Sequence, residues 1–258
     1  MSFSTPELSF LEMLKLAGCL GYDGIEPRLD AKQAHGVEVG ATPEQREGFK
    51  KASKDAGIAF ACLATSLKYA DPEQKEEMLK QTGERIDLAG DMGVPVMRVF
   101  GGKLGGGISR DKAVELVAEC LKSVADHAGE RGVTVCVETH DDWCDPSHVA
   151  AVMERVNHPA ITVNWDVMHP VRTGNATMKE AFDILNPWIR HVHVHDAAAG
   201  TADLCPIGEG GYDHKTAIEL LRGCGYDGFI SGEWINWEPY EKHLPRELET
   251  LKNYEQSA

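Results

Sequence analysis

Short apolar, β-branched runs alternate along this chain with longer segments whose apolar residues recur every three or four positions. The runs stand at Ser2–Thr5, Gly24–Arg28, Ile58–Thr65, Pro95–Gly101, Val133–His140, Ile161–His169, Ile189–Asp196 and Gly228–Trp234. The periodic segments are Glu7–Leu20, Pro43–Ala56, Pro72–Met92, Arg110–Arg131, Pro146–Val156, Thr177–Leu185, Tyr212–Cys224 and Pro239–Tyr254. In Arg110–Arg131, the residues Val114, Leu116, Val117, Cys120, Leu121, Val124 and Ala125 make one stripe at helical spacing, and Gly132 follows as a stop. Asp71 predicts an N-cap for the segment that begins with Pro72, and Gly93 its end.

Strand-like runs, each followed by a helical segment, predict a parallel sheet covered by helices. Eight such units in 258 residues predict closure into a (β/α)8 TIM barrel, a single domain over 1–258. A doubly wound open sheet is the alternative, but no G-x-G-x-x-G opens a helix after the first run. The stretch FGGKLGGGIS lacks a Gly-Lys-Ser/Thr and reads as a βα loop. Only Ser2–Thr5 stands for a first strand, so the wall is expected to be thin there.

In such a barrel the chemistry sits where strands end and βα loops begin. The second run ends in Glu26 and Arg28, the third in Thr65 and Ser66, and the fourth carries Arg98. The fifth ends in Glu138 and His140, and the sixth in Asp166 and His169. The seventh holds His191, His193, His195 and Asp196, and the eighth ends in Glu233. Strand alternation turns Val135 and Val137 toward the helices and Glu138 inward. The same parity puts Asp166, the three histidines and Glu233 inside. Glu138, Asp166, His193 and Glu233 thus converge from consecutive strands. Three carboxylates held together repel one another, and a divalent cation removes that difficulty. A mostly oxygen donor set favours Mn²⁺, with Mg²⁺, Co²⁺ or Zn²⁺ as alternatives.

The formal net charge is −15, from 26 Lys+Arg against 41 Asp+Glu, which argues against nucleic acid and against anionic membranes as partners. No apolar stretch is long enough to span a bilayer, and MSFSTPELSFLEML has no signal-peptide pattern, so a cytoplasmic protein is expected. The seven cysteines show no C-x-x-C pair and read as free thiols in a reducing compartment.

With VETH, NWDVMHP, HVHVHD and SGEW in this order, the chain resembles the sugar phosphate isomerase/epimerase family, the xylose isomerase-like barrels. That group includes ketose 3-epimerases, hydroxypyruvate isomerases and inosose dehydratases. The resemblance implies one divalent metal on Glu138, Asp166, His193 and Glu233, the two glutamates also serving as acid and base. It implies a substrate contact for His169. His195 stands where the family usually has a basic residue, often Lys, and unlike Lys it titrates near neutral pH.

The expected reaction is proton abstraction α to a carbonyl, through a metal-stabilised enediolate, on a carbohydrate. Return of the proton to the opposite face gives epimerisation, and return to the adjacent carbon isomerisation. Loss of a β-hydroxyl, as from an inosose-like ketone, is the dehydratase alternative. His169, His195, Arg28, Arg98, His140, Trp143 and Asp196 are the expected substrate-binding residues, with Trp234 and Trp237 as further walls. Endonuclease-IV-like nucleases share the D-x-x-H and H-x-x-D motifs but need more histidines on the third and fourth strands and a D-x-H where this chain has YDHK. A non-catalytic binding barrel is the remaining alternative. The helix Pro239–Tyr254 could pack on its own barrel or in a homo-oligomer.

Overall fold

In the computed structural model, which describes residues 1–257, the alternating pattern becomes a curled parallel sheet with helices outside it. Strand β1 (Gly24–Ile25) pairs in parallel with β2 (Ala59–Phe60), and β3 (Leu63–Lys68) continues two residues after β2. Then follow β4 (Val96–Phe100), β5 (Thr134–Glu138), β6 (Ile161–Asp166) and β7 (Ile189–Val194), each beside its predecessor. The loop after β7 folds into a small antiparallel pair, β8 (Asp196–Ala197) with β9 (Leu204–Cys205), and β10 (Ile230–Gly232) returns to the far side of β7.

The helices are α1 (Phe10–Leu20), α2 (Pro43–Ala56), α3 (Lys75–Met92), α4 (Arg110–Glu130), α5 (Pro146–Val156), α6 (Met168–Arg172), α7 (Met178–Leu185), α8 (His214–Gly223) and α9 (Tyr240–Ser257). Local chemistry sets their starts. Ser9 with Glu12, Thr42 with Gln45 and Thr177 with Glu180 each form a reciprocal capping box, which satisfies N–H groups the first helical turn leaves open. The valines of β5, β6 and β7 (Val135, Val137, Val163, Val192, Val194) are fully buried and meet Val117, Leu121, Val149, Val152 and Leu185 of the helices in one core. In these three strands the buried valines make the helix-facing side largely apolar, and the inner side carries polar residues such as Glu138, Asp166 and His193.

Three sequence expectations are corrected. Ser2–Ser4 is a 3-10 turn, not a strand. Its backbone still spans the seam of the barrel, since the Met1 amine donates to Gly232 O (2.9 Å) and Ser2 N to Glu26 O (2.9 Å). A cavity of about 550 Å³ lies beneath this bridge, between Gly24 and Ile230. Asp71 caps a 3-10 turn, Pro72–Gln74, and α3 begins only at Lys75. The seventh run is interrupted at His195, where the chain leaves the ladder. Among the described residues no helix is long and apolar enough to cross a membrane, and no disulfide joins the cysteines.

Candidate metal centre and active site

Register places the inner-face residues. Asp166 lies beside His193, and His193 beside Ser231, while Glu138 lies beside Asn164 one step deeper. Glu233 follows β10, tied to β7 by its N–H to Val194 O (3.0 Å). One donor atom each of Glu138, Asp166, His193 and Glu233 then falls within 4.8 Å of the others. His193 Nδ1 is 3.1 Å from Glu233 Oε2 and 3.4 Å from Glu138 Oε1.

Each ligand candidate is aimed by its other contacts. Asp166 Oδ1 accepts from Met168 N (3.0 Å) and His169 N (3.1 Å) at the start of α6, which leaves Oδ2 to face the site. That is what a D-x-x-H spacing does at a strand end: the carboxylate holds the turn that carries the histidine. Glu138 Oε2 meets Arg98 Nε at 3.0 Å, and Arg98 Nη1 donates to Thr65 O at 2.8 Å. Arg98 is fully buried, with its guanidinium 4.0 Å from the Phe100 ring. It anchors Glu138, so the expectation of a direct substrate contact at Arg98 is corrected to a positioning place.

Positive charge is demanded at the centre. Burial disfavours a charged His193, but Glu26 and then Glu138 outweigh it and raise its pKa well above the usual range. Burial also opposes ionisation of Asp166, yet His169 and His195 hold its carboxyl well below the ordinary value. Glu233, against the same burial and next to His193, is brought down to about 2. Glu138 Oε2, Asp166 Oδ2 and Glu233 Oε2 are buried without an aligned hydrogen-bond donor. Carboxylate oxygens that meet cationic groups but lack aligned hydrogen bonds, gathered around one imidazole, fit a divalent cation, and these residues could hold it.

Glu26 was visible at the end of the second run but was not selected, and it is the residue sequence reasoning missed. It is 1% exposed. Its Oε1 lies 2.9 Å from His193 Nε2 and its Oε2 2.9 Å from His191 Nε2. Both are hydrogen-bond lengths with the two imidazole nitrogens, so Glu26 is placed to accept from His191 and His193, and the same three residues are also close enough to one another to share an ion. A proton held on Nε2 leaves the Nδ1 lone pair of His193 toward the carboxylates. The inward parity of Glu26 was the available signal, but its partners come from 165 and 167 residues away. Glu26→Gln, whose amide cannot accept at both ends, is expected to weaken Mn²⁺ binding by about 10- to 100-fold. Calorimetric titration of the metal-free variant checks this, and unchanged affinity would remove Glu26 from the site.

Above the centre, a string of rings lines one side of the mouth. Phe100 lies 4.9 Å from His140, His140 4.7 Å from His169, and His169 5.3 Å from His195, centre to centre. His195 Nδ1 reaches Asp166 Oδ2 at 3.2 Å. Arg28 is half-buried on the other side, bonded to Ser66. Two expected contacts are corrected. Asp196 is fully buried and accepts from Ala197, Gly208 and Gly210 N, so it anchors the β8–β9 loop. Trp143 is fully buried, donates to Gly102 O (2.8 Å) and lies flat on Gly101, where a Cβ would sit 2.4 Å from the indole. Trp234 is likewise buried, while Trp237 is half-buried at 5.3 Å from His243.

The family profile of the xylose isomerase-like TIM barrels matches residues 14–254. The chain belongs to that family. Among its relatives, an L-ribulose-5-phosphate 3-epimerase UlaE of Salmonella typhi is 26% identical over 230 residues, covering 85% of this chain and 80% of its own. A 3-dehydroshikimate dehydratase of Bacillus anthracis is 24% identical over 273 residues, covering 98% and 95%. A crystal structure of a xylose isomerase-like TIM barrel protein from Mycobacterium smegmatis in complex with magnesium superposes with a TM-score of 0.70 at 20% identity, covering 96% of this chain and 87% of that one.

Proposed function

We propose that this xylose isomerase-like barrel is a divalent-metal-dependent enzyme that removes a proton α to a carbonyl on a small carbohydrate-like substrate and returns it as an isomerase or epimerase. The observation that supports it most is the buried set of Glu138, Asp166, Glu233 and His193 within 4.8 Å. Two of its members, Glu138 and Glu233, reach the same His193 nitrogen from different strands. A divalent cation held by these four residues would supply Lewis-acid chemistry that makes the α-proton of a bound carbonyl compound more acidic. The mostly oxygen donor set favours Mn²⁺ or Mg²⁺, and the magnesium complex of the Mycobacterium smegmatis barrel agrees with a hard cation.

The chain's own residues supply the proton steps. One of Glu138 and Glu233 takes the α-proton and the other gives one to the opposite face, which inverts the carbon. Arg98 keeps Glu138 in place, and Glu233 retains a side-chain exposure of 11% where Glu138 has none. His169 and His195 orient the substrate hydroxyls. A dehydratase is the second reading, favoured by the 3-dehydroshikimate dehydratase relative, whose match runs nearly end to end. It starts with the same proton abstraction and ends with loss of a β-hydroxyl.

Proton exchange tests the shared step. Mn²⁺-loaded protein in deuterium oxide is expected to place deuterium at the α-carbon of at least one ketose, ketose phosphate or cyclic keto-acid, read by proton NMR. No uptake from any of the three classes would sink the enzyme reading in favour of a binding barrel.

A further inference from the structure

We propose that His214 is a buried imidazolium that positions His195 at the mouth of the site. Its part in catalysis rests on the enzyme reading above, in which His195 orients the substrate; its charge follows from contacts that need no substrate. His214 opens α8 and is 1% exposed. Its Nε2 lies 2.9 Å from His195 O, and its Nδ1 lies 2.9 Å from Tyr212 O. Both partners are backbone carbonyls, which accept and never donate. A neutral imidazole has one N–H, so it would press a lone pair against the other oxygen. Two donated bonds require a proton on each nitrogen. His191 and His243 are also buried, and each keeps an Nδ1 without a hydrogen bond, as a neutral ring allows.

A buried cation needs a counter-charge. The Oδ2 of Asp196, a fully buried residue, lies 3.6 Å from His214 Nδ1. The two oxygens of Asp196 accept from the N–H groups of Ala197 (2.9 Å), Gly208 (2.9 Å) and Gly210 (3.2 Å), a donor set that suits an anion. Asp213, the neighbouring carboxylate, is taken up as the N-cap of α8 by Thr216 N (3.0 Å) and Thr216 Oγ (2.7 Å).

The pair sits where β7 ends. The last residue of β7 is Val194, so His195 has left the ladder and its carbonyl needs another donor. The His214 ring supplies one from 19 residues away. Between them the chain makes the β8–β9 excursion and comes back, with Gly211 N on Ala197 O (3.0 Å). At Gly210 a Cβ would lie 2.1 Å from Asp196 Oδ1, so the chain passes the carboxylate where only glycine fits. One ring thus closes the excursion and holds the backbone of His195, whose Nδ1 stands 3.2 Å from Asp166 Oδ2.

NMR of the ring nitrogens reads the charge directly, with the His214 signals assigned by their loss in His214→Gln. Wild type at neutral pH is expected to show a proton on both nitrogens of His214. In Asp196→Asn one of those protons is expected to be lost, a response that packing alone would not give. In the Mg²⁺-loaded protein, His214→Gln and His214→Phe are expected to keep their metal and to lower kcat for α-proton exchange by about 10- to 100-fold, with KM changed less. The glutamine variant serves if the phenylalanine variant fails to fold. A singly protonated ring in wild type, or a ring unchanged in Asp196→Asn, overturns the imidazolium. Unchanged turnover in the His214 variants overturns the positioning role. If no ketone exchanges its proton, the enzyme reading falls, and the NMR still decides the charge of His214.

Discussion

Glu138→Gln and Glu233→Gln are each expected to lower turnover by about 1,000-fold or more, measured at saturating Mn²⁺. An amide oxygen can still approach a cation, but it cannot take up a proton near neutral pH. The two variants should also differ from each other. Glu138 is clamped by Arg98, so the glutamine leaves that buried guanidinium without its counter-charge and should destabilise the fold. Glu233 stands at the open end of the last strand, and its replacement should leave the melting temperature nearer to wild type. Metal content by atomic emission, α-proton exchange and thermal melting separate these outcomes. Near-normal exchange in either variant with metal bound would remove that residue from the acid/base pair.

Removal of the metal has the other large expected effect. Chelation should abolish α-proton exchange, and readdition of Mn²⁺ or Mg²⁺ should restore it. It should also lower the melting temperature, because a ligand that binds only the folded state stabilises it by about 3–4 kcal/mol at 100 to 1,000 times its dissociation constant. For a chain of this size that is a shift of about 6–15 °C. The direction follows from the site: three carboxylates facing one imidazole repel each other when the cation leaves. Full turnover in the chelated protein would sink the metal-dependent reading.

Much of the barrel was legible because it is written in local and periodic signals. The valines that face the helices and the polar residues that face inward follow from strand alternation, which needs no knowledge of neighbours. Capping residues such as Ser9, Thr42 and Thr177 announce their helices within four positions. The first strand failed for the same reason: four residues hold too little pattern, and the backbone bonds of Met1 and Ser2 go to Gly232 and Glu26, far away in the chain.

Asp196 shows the limit at the site. By position it follows the histidine tract toward the mouth, but its carboxylate takes the amides of Gly208 and Gly210, which only the folded loop brings back. Arg98 looked like a ligand for substrate until its partner, Glu138 on the next strand, was in view. Parity could say which residues point inward, and the motif order could say which chemistry they resemble. Distances between inward residues belong to the curled sheet as a whole. Strand β7 carries His193 past β6 and Asp166 on one side, while the seam brings β1 and Glu26 against it from the other. Periodicity along one strand sets direction, but hydrogen bonds across the barrel set partnership. Which buried carboxylates gather around His193 Nδ1 and which one meets its Nε2 therefore rested with the tertiary structure.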